Sequence, residues 1–114
     1  MDFKFPEDFK KDMKKINGDT PSNYVFHTEN GTERIFGGLF SFNKEDKETG
    51  YIVTYNNSEV IRSRGNFVAI AIDPFGNFIG YDRNNNDIMF LNHEIEIDNL
   101  EKVANSWTEL KNKL

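Results

Sequence analysis

Between residues 67 and 93 the chain runs through three β-prone stretches separated only by turn chemistry, which leaves few ways to fold. Phe67-Val68-Ala69-Ile70-Ala71-Ile72 is an unbroken apolar run and reads as a buried strand. Asp73-Pro74-Phe75-Gly76-Asn77 follows, rich in the residues that set turn geometry. Phe78-Ile79-Gly80-Tyr81-Asp82 is a second strand, Arg83 to Asp87 a second turn, and Ile88 to His93 a third strand. Strands joined by such short loops must be antiparallel neighbours, so this region is a meander.

The flanks supply the other elements. Pro6 suits the first turn of a helix, and Glu7 and Asp8 sit at the positive end of its dipole. Phe9, Met13 and Ile16 share one face, and Asn17-Gly18 is a stop. Asn23 to Glu29 is strand-like, and Asn30-Gly31 is a strong hairpin signal. Thr32 to Phe42 then reads as the return strand, with Gly37-Gly38 marking a bulge or bend. Asn43 to Gly50 is charged and reads as a loop or a helix start. Tyr51 to Tyr55 fits a strand by composition and a short helix by spacing.

At the far end, Asp98 and Glu101 form a capping-box pair, and Leu100, Val103, Ala104, Trp107, Leu110 and Leu114 fall on one helical face. A closing helix is therefore expected from Asp98 onward. The class is α+β: an antiparallel sheet of about five to six strands packed against N- and C-terminal helices. With 114 residues, and eleven Phe to build a core, residues 1–114 are expected to form one domain.

Much chemistry is excluded or lacks its parts. There is no Cys, which removes disulfides, thiolate metal sites and thiol nucleophiles. His27 and His93 stand 66 positions apart without a metal-ligand pattern and read as strand and turn residues. Asp82-Arg83-Asn84-Asn85-Asn86 echoes a calcium loop, but Asp87 stands where Gly is needed and His93 where a bidentate Glu is needed. No phosphate-cradling glycine motif and no serine nucleophile elbow occurs. The expectation is a non-enzyme without cofactor or metal. The lysines at positions 10, 11, 14 and 15 are interleaved with Asp12 and read as a solvated helix face. The N-terminus has no basic-then-apolar leader, and the longest apolar run is far below the roughly 20 residues that span a bilayer. A cytoplasmic protein is expected, and the glycosylation patterns at Asn30 and Asn56 are then chance.

The formal charge is −5, which argues against nucleic acid or an anionic membrane as partner. The charge is uneven: residues 1–15 and 101–114 are each +1, and residues 16–100 carry −7. This acidic centre has two readings, solubility or steering toward a basic partner.

The opening Phe5-Pro6-Glu7-Asp8-Phe9-Lys10, with Ile16-Asn17-Gly18-Asp19-Thr20-Pro21, resembles the Pro-led first helix of the SUKH superfamily. That group includes fungal cell-wall glucan-synthesis regulators and many small bacterial proteins. Val68 to Asn77 is similar to its central strand, Asp turn and Gly-Asn pair. Tyr81-Asp82 and Ile88 to Glu94 resemble the following strands, and Val103 to Leu110 the closing helix. The resemblance implies an α+β fold and a short helix near residues 46–57. For bacterial members it implies an immunity protein that binds and neutralises a cognate toxin, often a nuclease, of a polymorphic or contact-dependent system. The alternative is a regulatory scaffold like the fungal relatives.

Basic nucleases must hold phosphate, so an acidic inhibitor can block them by charge as well as bulk. The residues expected to contact the toxin are Asp46, Glu48, Glu59, Asp87, Glu94 and Glu96, with Tyr51, Tyr55 and Tyr81 as aromatic anchors. A monomer or weak dimer is expected.

Overall fold

The computed structural model describes residues 3–16, 24–40, 52, 56, 61, 66–94 and 100–113, without the side chains of 13–16 and 24. Helix α1 spans Glu7–Ile16, with both early carboxylates in its first turn as the sequence predicts. Its first bond runs from the Lys10 N–H to the Pro6 carbonyl at 3.1 Å. Strands β1, Tyr24–His27, and β2, Glu33–Phe36, form an antiparallel hairpin in which Tyr24 faces Phe36 and His27 faces Glu33. Its loop closes with Thr28 N–H on Thr32 O and Gly31 N–H on Thr28 O, both at 2.9 Å. The Asn30 Oδ1 accepts from the Thr28 and Thr32 hydroxyls and fixes the tip.

The expected return strand does not continue to Phe42 as one element. It breaks at Gly37, and β3, Gly38–Leu39, joins a different sheet. The reason is a close approach of two backbones. Gly37 donates its N–H to Ile72 O at 3.0 Å, and a Cβ there would lie 2.5 Å from that same oxygen. Only glycine lets the chain pass from one sheet to the other at this point.

The meander is as expected. Strands β4, Phe67–Ile72, β5, Phe78–Asp82, and β6, Ile88–Leu91, pair antiparallel in sequence order. The register slips between Ala69 and Ala71. Beyond β3, the buried Asn56 side chain serves the free edge of β4: its Oδ1 accepts from Ala69 N–H and its Nδ2 donates to Ala69 O, both at 2.8 Å. The short helix expected near 46–57 lies outside the described residues except at Ile52 and Asn56, both helical and both buried.

The C-terminal segment departs from expectation. Residues Leu100–Ala104 are strand β7, not the first turns of a helix, and they complete the sheet in the order β3-β4-β5-β6-β7. Leu91 faces Leu100 and Ile88 faces Ala104. The outer edge of β6 carries backbone groups that need partners, and satisfying them outweighs a helical spacing of side chains. Helix α2, Trp107–Lys111, begins only after Ser106, whose Oγ accepts from Glu109 N–H at 3.1 Å. The working N-cap is thus Ser106, eight residues beyond the expected one, and the Glu109 carboxylate accepts from Asn105 Nδ2 at 3.2 Å.

Aromatic rings fill the space between helices and sheet. The Phe9 ring lies 5.2 Å from Trp107 and 5.8 Å from Tyr81, and Phe36 of β2 meets Trp107 at 6.4 Å. Two carboxylates of α1 clasp α2. Asp12 Oδ2 accepts from Trp107 Nε1 at 2.6 Å and Lys111 Nζ at 2.7 Å, while Asp8 Oδ2 accepts from Thr108 N–H at 3.0 Å and its hydroxyl at 2.9 Å. The hairpin is tied to β7 by Arg34 and Glu101, whose two parallel bonds are both 2.9 Å. At the hairpin tip, Glu29 N–H reaches Lys102 O at 2.9 Å.

Candidate protein-binding face

One end of the five-stranded sheet carries a turn whose shape is set by a buried carboxylate. Asp73 is 5% exposed, yet every donor it needs is close. Its Oδ1 accepts from Phe75 N–H at 2.9 Å and Asn77 N–H at 2.7 Å, and its Oδ2 accepts from Asn77 Nδ2 at 2.9 Å. A buried charge is tolerated only with such a set of partners. Gly76 takes φ +86°, which L side chains rarely adopt, and a Cβ there would meet the His93 ring at 3.4 Å. The Asn77 Oδ1 in turn accepts from His93 N–H at 3.1 Å and lies 2.7 Å from His93 Nδ1. Asp73, Asn77 and His93 therefore lock the β4–β5 turn to the chain leaving β6.

The locked turn displays Phe75. Its side chain is 67% exposed, the most exposed of the large apolar residues described. A fixed backbone beneath an aromatic ring means that a partner would find the ring already in place, with little ordering left to lose on binding. Beside it runs a groove of about 130 Å³, walled by Phe75, Asp73 and Asn77 on one side and by Glu33, Arg34 and Ile35 of β2 on the other.

The charges here are unequally committed. Arg34 is held by Glu101, and its guanidinium sits 4.5 Å above the Phe90 ring. The hydrogen bond to Glu101 raises the Arg34 pKa further, so it stays a cation, with Nε and Nη2 bonded to that carboxylate. Glu33 and Glu94 are both exposed, and neither forms an ion pair among the described residues. A face with an exposed ring and uncommitted carboxylates suits recognition of a cationic surface. Among the described residues no group of three His, Asp or Glu could hold a metal. No helix among them is long and apolar enough to cross a membrane.

The family model described as SUKH_6, SMI1-KNR4 cell-wall, matches residues 1–110. The chain belongs to this family. No curated protein and no solved structure gives a match. The SUKH turn anticipated from Asp73 to Asn77 is thus the turn that carries the exposed ring.

The residues expected to contact a partner are scattered in outcome. In this SUKH domain Glu94 is exposed, next to the His93 that braces the turn. Asp87 is half-buried and paired with Lys102 at 3.4 Å, which Glu29 shares at 3.7 Å. Tyr81 is corrected outright: it is fully buried and cannot serve as a surface anchor. Strand β5 is covered on both faces, so the alternation that would turn Tyr81 outward does not apply. Asp46, Glu48, Tyr51, Tyr55, Glu59 and Glu96 lie outside the described residues. The echo of a calcium loop is an inter-strand turn, with Asp82 Oδ1 accepting from Asn84 N–H at 2.8 Å and Asn86 at φ 63°.

Phe75 was not among the anchors expected from sequence. A signal for it exists: in Asp73-Pro74-Phe75-Gly76-Asn77 every other residue has a turn role, and an aromatic with none is left to face solvent.

Proposed function

We propose that this SUKH domain is an immunity protein that binds a cognate bacterial toxin of nuclease type and neutralises it by occlusion, with no catalysis of its own. It acts in the cytoplasm as a monomer or weak dimer. The observation that carries the reading is the exposed Phe75 on its braced turn, with Glu33 lining the groove beside it and the exposed Glu94 next to the bracing His93. Aromatic anchors surrounded by complementary charge are how compact protein inhibitors gain both affinity and speed. A nuclease surface must be cationic to hold phosphate, and the −7 charge of residues 16–100 complements it.

The test is co-expression with the product of the neighbouring gene. The expected result is rescue of growth together with a stable complex that co-purifies. Rescue without a complex would overturn occlusion. The family's cell-wall description favours a second reading, a regulatory scaffold, which predicts no rescue from any adjacent toxin.

A further inference from the structure

The domain already contains one half-buried arginine site, and its parts recur beside it. Arg34 is held by an aromatic face and a carboxylate together: Phe90 lies 4.5 Å beneath its guanidinium, and Glu101 bonds it twice at 2.9 Å. Next to it along β2, Glu33 faces the same groove as Phe75. That pair again sets an aromatic ring beside a carboxylate, but here no cation among the described residues fills the place.

We propose that the groove between Phe75 and Glu33 receives an arginine side chain of a partner protein, stacked on the Phe75 ring and paired with the Glu33 carboxylate. This rests on reading the face as protein-binding and names the chemistry that it reads. Three features select that occupant. Arg34 lines the groove, but its charge is balanced by Glu101, which weakens its repulsion of an incoming cation and its pull on an anion. Asp73 and Glu33 leave the groove net negative, which disfavours an apolar side chain. A guanidinium is planar and weakly hydrated, so it stacks on a ring and bonds a carboxylate at once, which an ammonium does poorly. Glu94, exposed nearby on the chain bonded to Asn77, adds to the attraction.

The test needs no toxin. The full chain, isotopically labelled, is titrated with N-acetyl-arginine methylamide and followed by NMR. The expected response is a saturable shift confined to residues 33–35 and 73–77. The citrulline analogue, which has the same shape without the charge, should bind about fivefold or more weakly. Phe75→Ala and Glu33→Gln should each weaken the arginine response by about threefold or more. Both positions are exposed, so the rest of the spectrum should be unchanged. Equal shifts with citrulline or with N-acetyl-glutamate methylamide, or an undiminished response in Phe75→Ala, would overturn the proposal. If arginine binds as expected but growth rescue fails, the immunity reading falls and this site stands. If rescue succeeds and arginine gives no response, the reverse holds.

Discussion

Tyr81 shows how far a residue's role depends on its surroundings. Its ring is packed among Phe3, Phe5 and Phe9, with centroids 5.5, 6.2 and 5.8 Å away. Its hydroxyl is buried and has no hydrogen-bond partner among the described residues. An unpaired buried hydroxyl carries its desolvation cost without return, on the order of 1–3 kcal/mol. Burial, and secondarily the nearby Asp8 charge, push the phenol well above its ordinary value near 10. The sign follows directly. The folded state prefers the neutral phenol, so that contribution is complete below pH 10 and is lost as pH rises above it. Tyr81→Phe removes both the orphan hydroxyl and the titration. Thermal melts should show the variant more stable at pH 7 by on the order of 1 kcal/mol. Its advantage should widen in alkaline melts. A lower Tm in the variant at neutral pH would show that the hydroxyl does find a partner.

At the scale of elements, the C-terminal segment is the informative one. Two capping boxes lie in it, Asp98 with Glu101 and Ser106 with Glu109, and the apolar spacing from Leu100 to Leu110 is common to both readings. Nothing local separates them; the deciding fact is that β6 needs a neighbour, which is a property of the sheet and not of the segment. Ser106→Ala should therefore cost about 1 kcal/mol, seen as a lower midpoint in urea with an unchanged slope. Glu101→Ala should act differently, by stranding the Arg34 guanidinium between β2 and β7. The meander, by contrast, was legible because each strand is bounded by residues that can only turn. The Gly37-Gly38 pair was legible as a break, but not as the crossing between two sheets, since the obstructing Ile72 carbonyl is 35 positions away in sequence. The candidate site was partly legible for a related reason. Charge can be read from sequence, so Glu94 stands among the expected contacts and is exposed, whereas the exposure of Phe75 and the burial of Tyr81 are set by what packs around them.

For the whole molecule, the question is where the charge remains available. Asp8 and Asp12 of α1 are consumed in holding α2, Glu7 pairs with Lys10, and Glu101, Glu29 and Asp87 are paired with Arg34 or Lys102. Much of the described negative charge is therefore internal to the fold, while Glu33 in the groove beside the exposed ring and Glu94 next to His93 are exposed and form no ion pair among the described residues. Long-range attraction to a basic partner acts on encounter, and the desolvated anchor acts on departure. The two contributions should separate in the kinetics of the complex. Whereas Glu33→Lys should also speed dissociation because it removes the partner of the incoming arginine, reversing Glu94 alone, Glu94→Lys, should slow association by about threefold at low salt while changing dissociation little. That difference should shrink as ionic strength rises past about 0.15 M, where the screening length falls to roughly 8 Å. Phe75→Ala should do the opposite, speeding dissociation while leaving association and its salt dependence nearly intact. Stopped-flow association rates at two salt concentrations, with dissociation followed by competition, measure both. If Glu94→Lys instead sped dissociation and left association untouched, Glu94 would be a contact residue and not a steering one, and attraction would have to come from the acids elsewhere in the acidic centre.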